Sequence, residues 1–202
     1  MKINTRHHRP AFTLIELMAV IVIIVILAGL VVGGLGYVNE KQARGKAQVQ
    51  IALLSKALEE YKLDMGQYPP TNDLVTIVKN KGTDNSKLLY NSLFFEGYDA
   101  GVNPPAAAST PPKATKIYVA ELDPMSSKQG WVMTQTSGIP KKDLLISDPW
   151  GNQYCYRSAR KADGGINNGT QNPDFDLWSM GKNGESKPGS TTFTQNADDV
   201  YN

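Results

Sequence analysis

The sequence predicts an α+β fold in which one long N-terminal α-helix carries a small globular head with an antiparallel β-sheet. Three observations predict this architecture. The run from Leu17 to Val38 is apolar and uncharged, an apolar stripe at helical spacing follows it, and the last third of the chain alternates short apolar strands with turn residues. The 202 residues suffice for one ordinary domain and one long additional element.

The apolar run is long enough to cross a bilayer as a helix, since residues 17–38 would span about 33 Å at 1.5 Å per residue. Lys2, Arg6 and Arg9 precede the run, and Glu16 is the first acid of the chain. By the positive-inside rule, the N-terminus then lies in the cytoplasm and the bulk of the chain lies outside it.

Three interpretations of this segment compete. A secretory signal peptide is disfavoured because the run is long for such a peptide and no A-x-A cleavage site follows it. A simple signal anchor explains every feature except Glu16, a carboxylate that is costly in hydrocarbon unless it is paired or lies at the interface. The third interpretation is a signal that is cleaved before the apolar run and leaves that run on the mature protein.

The helix is predicted to continue beyond the apolar run, because helical periodicity persists where the composition becomes polar. Apolar residues recur at alternating spacings of four and three: Ala47, Ile51, Leu54, Leu58, Tyr61 and Met65. Gly66 and the Pro69-Pro70 pair then end the helix. We therefore expect a membrane-spanning half over residues 12–38 and an amphipathic half over residues 39–66, together about 80 Å long.

The head is predicted to occupy residues 67–202. Its first part contains the apolar groups Leu74–Val78 and Leu88–Phe95, which we interpret as short helices. Residues 101–116, "GVNPPAAASTPPKATK", are predicted to be a loop without a core of their own.

The last third of the chain predicts antiparallel β-structure. The segment 148–151, Asp-Pro-Trp-Gly, has the residue pattern of a type I turn. The segments "QYCYR" at 153–157 and "FDLWS" at 175–179 are predicted to be strands, with Asn-Gly-Thr turn residues at 168–170 between them.

Composition argues against several classes of function. The formal net charge of +2 gives no strong attraction to nucleic acid, so no nucleic-acid partner is expected. The single cysteine, Cys155, cannot form an intramolecular disulfide. The two histidines, His7 and His8, both precede the apolar run, so cleavage before that run would leave no histidine for catalysis or for a metal. No nucleophile–histidine arrangement, P-loop or metal cluster is recognisable, and we predict that the protein is not an enzyme.

The segment "AFTLIEL" at 11–17 resembles the processing motif of type IV pilins and pseudopilins. This resemblance implies that residues 1–11 are a leader, which prepilin peptidase removes by cutting between Ala11 and Phe12, and that Phe12 is then N-methylated. The family usually has Gly where Ala11 stands. The resemblance also implies that Glu16 pairs with the N-terminal amine of a neighbouring subunit during filament assembly.

Two further segments resemble the G component of type II secretion, the major pseudopilin. They are "YKLDMGQYPPT" at 61–71 and "DPWGNQY" at 148–154, the latter followed by "DFDLWSMGKNG" at 174–184. The resemblance implies a pilin-like structural subunit that forms a helical homo-oligomer, a pseudopilus, in the periplasm and helps to drive secretion of folded proteins. It implies minor pseudopilins and an inner-membrane assembly platform as partners. Relative to compact members, residues 82–130 look like an insertion, either a subunit contact or a tolerated loop.

Two alternatives stay open at this point. One is a type IV pilin of a surface filament for adhesion, motility or DNA uptake, although the single cysteine cannot form the C-terminal disulfide that many such pilins have. The other is a membrane-anchored periplasmic domain of unrelated activity.

The same resemblance implies a calcium ion in the C-terminal loop. The positions that match the family's ligands are Asn183, Asp198 and Asp199, with the backbone carbonyl of Met180 as a further candidate. Calcium takes six to eight oxygen ligands, which side chains and carbonyls together could supply. Asn183 stands where the family has an acid, and a solvated polar tail is the alternative.

Overall fold

The computed structural model describes residues 12–71, 78–79, 85–102, 114–126, 130–132, 140–188 and 194–202. The predicted leader, residues 1–11, lies outside them. We number the helices and strands in chain order: α1 Leu14–Met65, β1 Val78–Lys79, α2 Asn85–Tyr90, a π-helix Asn91–Phe95, α3 Glu96–Val102, a 3₁₀ helix Ala120–Leu122, β2 Cys155–Ser158, β3 Phe175–Ser179, β4 Glu185–Ser186, a second 3₁₀ helix Thr194–Asp198, and β5 Val200–Tyr201. The α+β fold is confirmed.

Helix α1 has 52 residues and passes through both compact units of the chain, the first of which ends at Gln42 and the second of which begins at Ala43. In the first unit, the large apolar side chains from Phe12 to Val38 are at least half exposed. Such a helix, apolar on all sides, needs a lipid or protein environment to cover it.

In the second unit, α1 contributes its apolar stripe to the core of the head. Five members of the predicted stripe are buried and Met65 is partly buried against them: Ala47, Ile51, Leu54, Leu58 and Tyr61. The helix ends where the sequence predicts, because Gly66 adopts a φ of +78° that favours glycine and its N–H donates to the Lys62 carbonyl at 2.8 Å.

The chain packs back on the helix after its last turn. Tyr68 is buried, and its hydroxyl donates to the Glu59 carboxylate at 2.8 Å and accepts from Lys62 at 3.2 Å. The Tyr156 hydroxyl donates to the Pro69 carbonyl at 2.9 Å, which ties this segment to the sheet.

Two small antiparallel sheets form the β-structure of the head. One has the order β2–β3–β5, with Cys155 opposite Trp178 and Trp178 opposite Tyr201. The other pairs β1 with β4, so Val78 lies opposite Ser186. The predicted strands around Cys155 and Trp178 are confirmed, and so is the turn at 148–151, in which the Gly151 N–H donates to the Asp148 carbonyl at 3.0 Å.

One of the two helical predictions for the first part of the head needs correction. The apolar group Leu74–Val78 was predicted to be helical, and residues 72–77 lie outside the described residues, but Val78 belongs to strand β1. It pairs with a strand from the far end of the chain, and a local pattern cannot reveal such pairing. The helical prediction for Leu88–Phe95 is confirmed by α2 and the π-helix.

The segment predicted to be a loop over residues 101–116 is ordered at both of its described ends. Gly101 and Val102 complete α3, and Ala114 is fully buried in the core. Within the predicted insertion, the Leu93 carbonyl accepts the N–H groups of Tyr118 at 2.9 Å and Val119 at 3.2 Å. The described parts of residues 82–130 are therefore packed structure that contributes to the core.

The apolar stripe of α1 makes a direct prediction about the stability of the head. Leu58 is fully buried, whereas Leu63, on the same helix, is 83% exposed. We expect Leu58→Ala to lower the free energy of unfolding by about 2–5 kcal/mol. The matched change Leu63→Ala should alter it by about 0.5 kcal/mol or less. Urea unfolding followed by tryptophan fluorescence checks this, and equal losses from the two variants would contradict the assigned core face.

Candidate functional site

The N-terminal end of α1 positions Glu16 in the first turn of the helix. Thr13 precedes the helix as its N-cap, and the Glu16 N–H donates to the Thr13 hydroxyl at 3.3 Å and to the Thr13 carbonyl at 3.1 Å. Thr13 and Glu16 have the T-x-x-E spacing of a capping box. The helix dipole favours a carboxylate at this end, typically by about 0.3–1 kcal/mol. The role of Thr13 was missed in the sequence, although the spacing of these two residues signals it.

The surface beside Glu16 is strongly apolar. Phe12, Leu14 and Ile15 are 80%, 79% and 77% exposed. Within the described residues, α1 is the one helix that is long and apolar enough to cross a membrane. Ala11, the other residue of the predicted cleavage site, lies outside the described residues. What the structure does place is an exposed Phe12 at the start of an apolar helix, one turn before Glu16.

A second candidate site is the C-terminal loop, the segment between strands β3 and β5. The structure brings Asn183 and Asp198 together there. The backbone N–H of Asn183 donates to Asp198 Oδ2 at 2.9 Å, and its side-chain Nδ2 donates to Oδ1 at 2.5 Å. Gly181 makes this approach feasible: a Cβ there would lie 2.4 Å from the Asp198 carbonyl oxygen and 2.7 Å from its carboxylate, and its φ of +62° also favours glycine.

Asp199 lies next to this pair and is buried in the head. Its Oδ2 accepts the hydroxyls of Ser186 at 2.6 Å and Tyr201 at 3.0 Å. Its Oδ1 is buried and has no hydrogen-bond partner among the described residues. Burial raises the pKa of Asp199 to about 6, with Asp198 adding to the rise and the two hydroxyls opposing it. The carboxylate is therefore short of favourable interactions in its charged form.

One feature of this loop favours a cation: the buried Oδ1 of Asp199 has no hydrogen-bond partner among the described residues. A cation would supply the missing interaction and would favour the charged carboxylate. The donor set is weak, since the described residues contain no group of three or more acidic, histidine or cysteine side chains that could hold a metal. Asn183 Oδ1 is already engaged, because it accepts the Glu185 N–H at 2.7 Å.

A buried carboxylate that the sequence marked only as a turn residue holds this loop against the sheet. Asp148 Oδ1 accepts the N–H groups of Trp150 at 3.0 Å and Asn152 at 2.8 Å, and its Oδ2 accepts the Ser179 hydroxyl at 2.5 Å. The Ser179 oxygen in turn accepts the Gly181 N–H at 3.1 Å. Burial raises the pKa of Asp148, and these hydrogen bonds oppose the rise.

Two family models match the N-terminal half of the chain. Residues 6–32 match the prokaryotic N-terminal methylation motif, and residues 36–98 match the family "Type II secretion system (T2SS), protein G". The first match includes Ala11, Phe12 and Glu16.

Curated relatives extend the similarity over nearly the whole chain. The chain is 33% identical to the type II secretion system core protein G of Aeromonas hydrophila over 181 residues, which is 90% of this chain and 88% of the relative. It is 32% identical to the protein of the same name in Escherichia coli K12 over 174 residues, 86% of this chain and 82% of the relative. Over 66 residues it is 47% identical to that of Klebsiella michiganensis, 33% of this chain and 46% of the relative.

The exposed apolar helix with Glu16 in its first turn, the small antiparallel sheet and these similarities all indicate the same family. The chain belongs to the type II secretion system core protein G family, the major pseudopilins.

Proposed function

We propose that this chain is the structural subunit of a periplasmic pseudopilus, which assembles from the inner membrane and helps to drive type II secretion of folded proteins. One observation carries the proposal: the described first unit is a helix whose large apolar side chains are exposed on all sides and whose first turn contains Glu16. Such a surface is covered by lipid before assembly and by other copies of the helix afterwards. The curated relatives are named core components of this secretion system.

Assembly in this proposal depends on cleavage between Ala11 and Phe12 by prepilin peptidase. Cleavage and N-methylation leave a charged amine at Phe12, one helical turn from Glu16. In the filament core, Glu16 pairs with the amine of a neighbouring subunit. An unpaired charge in such surroundings costs several kcal/mol, so this pairing fixes the axial position of each subunit relative to the next.

Before assembly, the subunit is anchored in the inner membrane by the apolar half of α1. Its three basic residues before the apolar run favour an orientation with the N-terminus in the cytoplasm and the head in the periplasm. Glu16 then lies near the cytoplasmic interface, where water and headgroups accommodate it. An inner-membrane assembly platform and minor pseudopilins are the further partners that this role requires.

The role as a filament subunit is tested by overproduction of the full chain in cells that contain the secretion machinery. We expect filaments that can be sheared from the cells and that contain this chain as their main component. Cells that insert the chain in the membrane and secrete normally, yet form no polymer of it, would contradict the proposal.

We also propose that the C-terminal loop binds calcium weakly. Asp199, Asp198 and the Met180 carbonyl would hold the ion, with Asn183 as a neutral neighbour. A calcium ion would compensate the buried negative charge of Asp199. With two carboxylates, the affinity should be low, with a dissociation constant of about 10⁻⁴–10⁻³ M.

Calorimetric titration of calcium into the full-length protein in detergent tests this proposal. We expect weak binding to the wild type and none to Asp199→Asn, which removes the charge but keeps the side-chain shape. The control Asp163→Asn changes an exposed carboxylate in another loop and should leave binding unchanged. Equal binding by all three proteins would contradict the assigned ligands.

A further inference from the structure

The hydrogen bonds between Asn183 and Asp198 close the C-terminal loop across fifteen residues of sequence. Both oxygens of the Asp198 carboxylate accept an N–H of Asn183, one from the backbone and one from the side-chain amide. The two N–H groups together form a bidentate donor for the carboxylate. Hydrogen bonds to an ionised acceptor are about twice as strong as those between neutral groups.

We infer that this amide–carboxylate clasp holds the loop closed without a divalent cation, and that Asn183 is the residue that makes closure independent of one. The side-chain amide supplies the positive end of a dipole where an acid would supply a negative charge. A carboxylate at position 183 would face Asp198 at hydrogen-bond distance, and the repulsion between two such groups would require a cation between them.

Other described residues of this region are also held by neutral donors. Asn196 and Lys187 exchange two hydrogen bonds, from the Lys187 N–H to Asn196 Oδ1 at 2.8 Å and from Asn196 Nδ2 to the Lys187 carbonyl at 2.9 Å. The hydroxyls of Ser186 and Tyr201 hold Asp199. A cation would therefore bind to a loop that is already closed and would add little to its stability. This inference does not depend on the role of the chain in a filament.

The wild-type protein alone gives the first test. Its three tryptophans, Trp131, Trp150 and Trp178, all lie in the head, so tryptophan fluorescence of the full chain in detergent reports unfolding of the head. We expect the urea midpoint in the chelator EGTA to lie only slightly below the midpoint in about 1 mM calcium chloride, a concentration at which a weakly bound ion stabilises the folded protein little. A large fall of the wild-type midpoint in EGTA would overturn the inference.

The variant Asn183→Asp gives the second test. In EGTA its midpoint should fall clearly below that of the wild type, and calcium should raise it again, by a shift several times larger than the wild type shows. The control Asn196→Asp makes the same chemical change in the same loop, opposite the Lys187 backbone. If the calcium-dependent shifts of the two variants are equal, Asn183 is not the determining residue and the inference fails.

A third variant separates loss of the clasp from gain of a cation requirement. Asp198→Asn removes the charged acceptor, so its midpoint should fall both in EGTA and in calcium, and calcium should not restore it. A wild-type midpoint for Asp198→Asn in EGTA would show that the clasp does not hold the loop, and would also overturn the inference.

Discussion

Replacement of Glu16 by glutamine is expected to abolish pseudopilus formation while membrane insertion persists. The change keeps the size and polarity of the side chain, and it leaves the α-amine of the adjoining subunit without its partner. Breaking such a buried pair typically costs about 3–5 kcal/mol, which corresponds to a loss of more than about a hundredfold in the affinity of each subunit contact. Because every subunit in a filament repeats this contact, polymers should fall below detection.

The measurement is the amount of this chain in filaments sheared from overproducing cells, compared with the amount in the membrane fraction. Glu40→Gln is the matched control, since it removes a carboxylate from the same helix beyond the apolar run. We expect the control to form filaments and Glu16→Gln to remain in the membrane. Filaments of normal yield from Glu16→Gln would refute the proposed role of this residue.

The second large effect is expected at Asp148, whose replacement by alanine should destabilise the head by about 3 kcal/mol or more. Asp148 as a whole is 5% exposed, and its carboxylate accepts hydrogen bonds from Trp150, Asn152 and Ser179. Removing it leaves the Ser179 hydroxyl unsatisfied in a buried place and the two N–H groups unsatisfied in partly buried ones, and a buried unsatisfied donor costs about 1–3 kcal/mol. The turn at 148–151 and the end of β3 would lose their shared anchor.

Urea unfolding of the full chain measures this effect. The control is Asp163→Ala: this exposed carboxylate makes a similar local contact, because its Oδ1 accepts the Gly165 N–H at 2.9 Å. We expect the control to change stability by about 0.5 kcal/mol or less, as is usual for surface positions. A loss at Asp148 no greater than that at Asp163 would show that the buried network does not stabilise the head.

The sequence predicted the features that local patterns encode. The stripe that contains Leu54 and Leu58 repeats with the period of a helix, so its burial followed from spacing alone. Gly66 signalled the end of that helix because few other residues tolerate its backbone conformation. The strands around Cys155 and Trp178 were recognisable from their alternation and from the turn residues beside them.

Features that depend on contacts between distant segments could not be predicted in the same way. Strand β1 has two residues, which is too few to show an alternating pattern, and its partner Ser186 lies near the other end of the chain. The π-helix contains Leu93, whose carbonyl accepts hydrogen bonds from the N–H groups of Tyr118 and Val119, more than twenty residues further along the chain. The backbone of Gly97 also lies against this later segment, since a Cβ at Gly97 would lie 2.3 Å from the Lys116 backbone.

The two candidate sites also differ in how far a local sequence pattern could reveal them. Glu16 was identified from a contiguous motif, and the only missed element was the Thr13 cap three residues before it. In the C-terminal loop, Asn183, Asp198 and Asp199 were identified by resemblance. The hydroxyls of Ser186 and Tyr201 that hold Asp199 were not identified, because nothing in a single sequence indicates which hydroxyl reaches a buried carboxylate.

The central claim is that a new amino terminus at Phe12 compensates the charge of Glu16 on an adjoining copy. Mass spectrometry of the N-terminal peptide, taken from chain recovered in sheared filaments, tests that claim most directly. We predict a peptide that begins at Phe12 and carries one added methyl group on its α-amine. Filaments built from chains that still begin at Met1 would contradict the claim, because no amine would then lie beside Glu16.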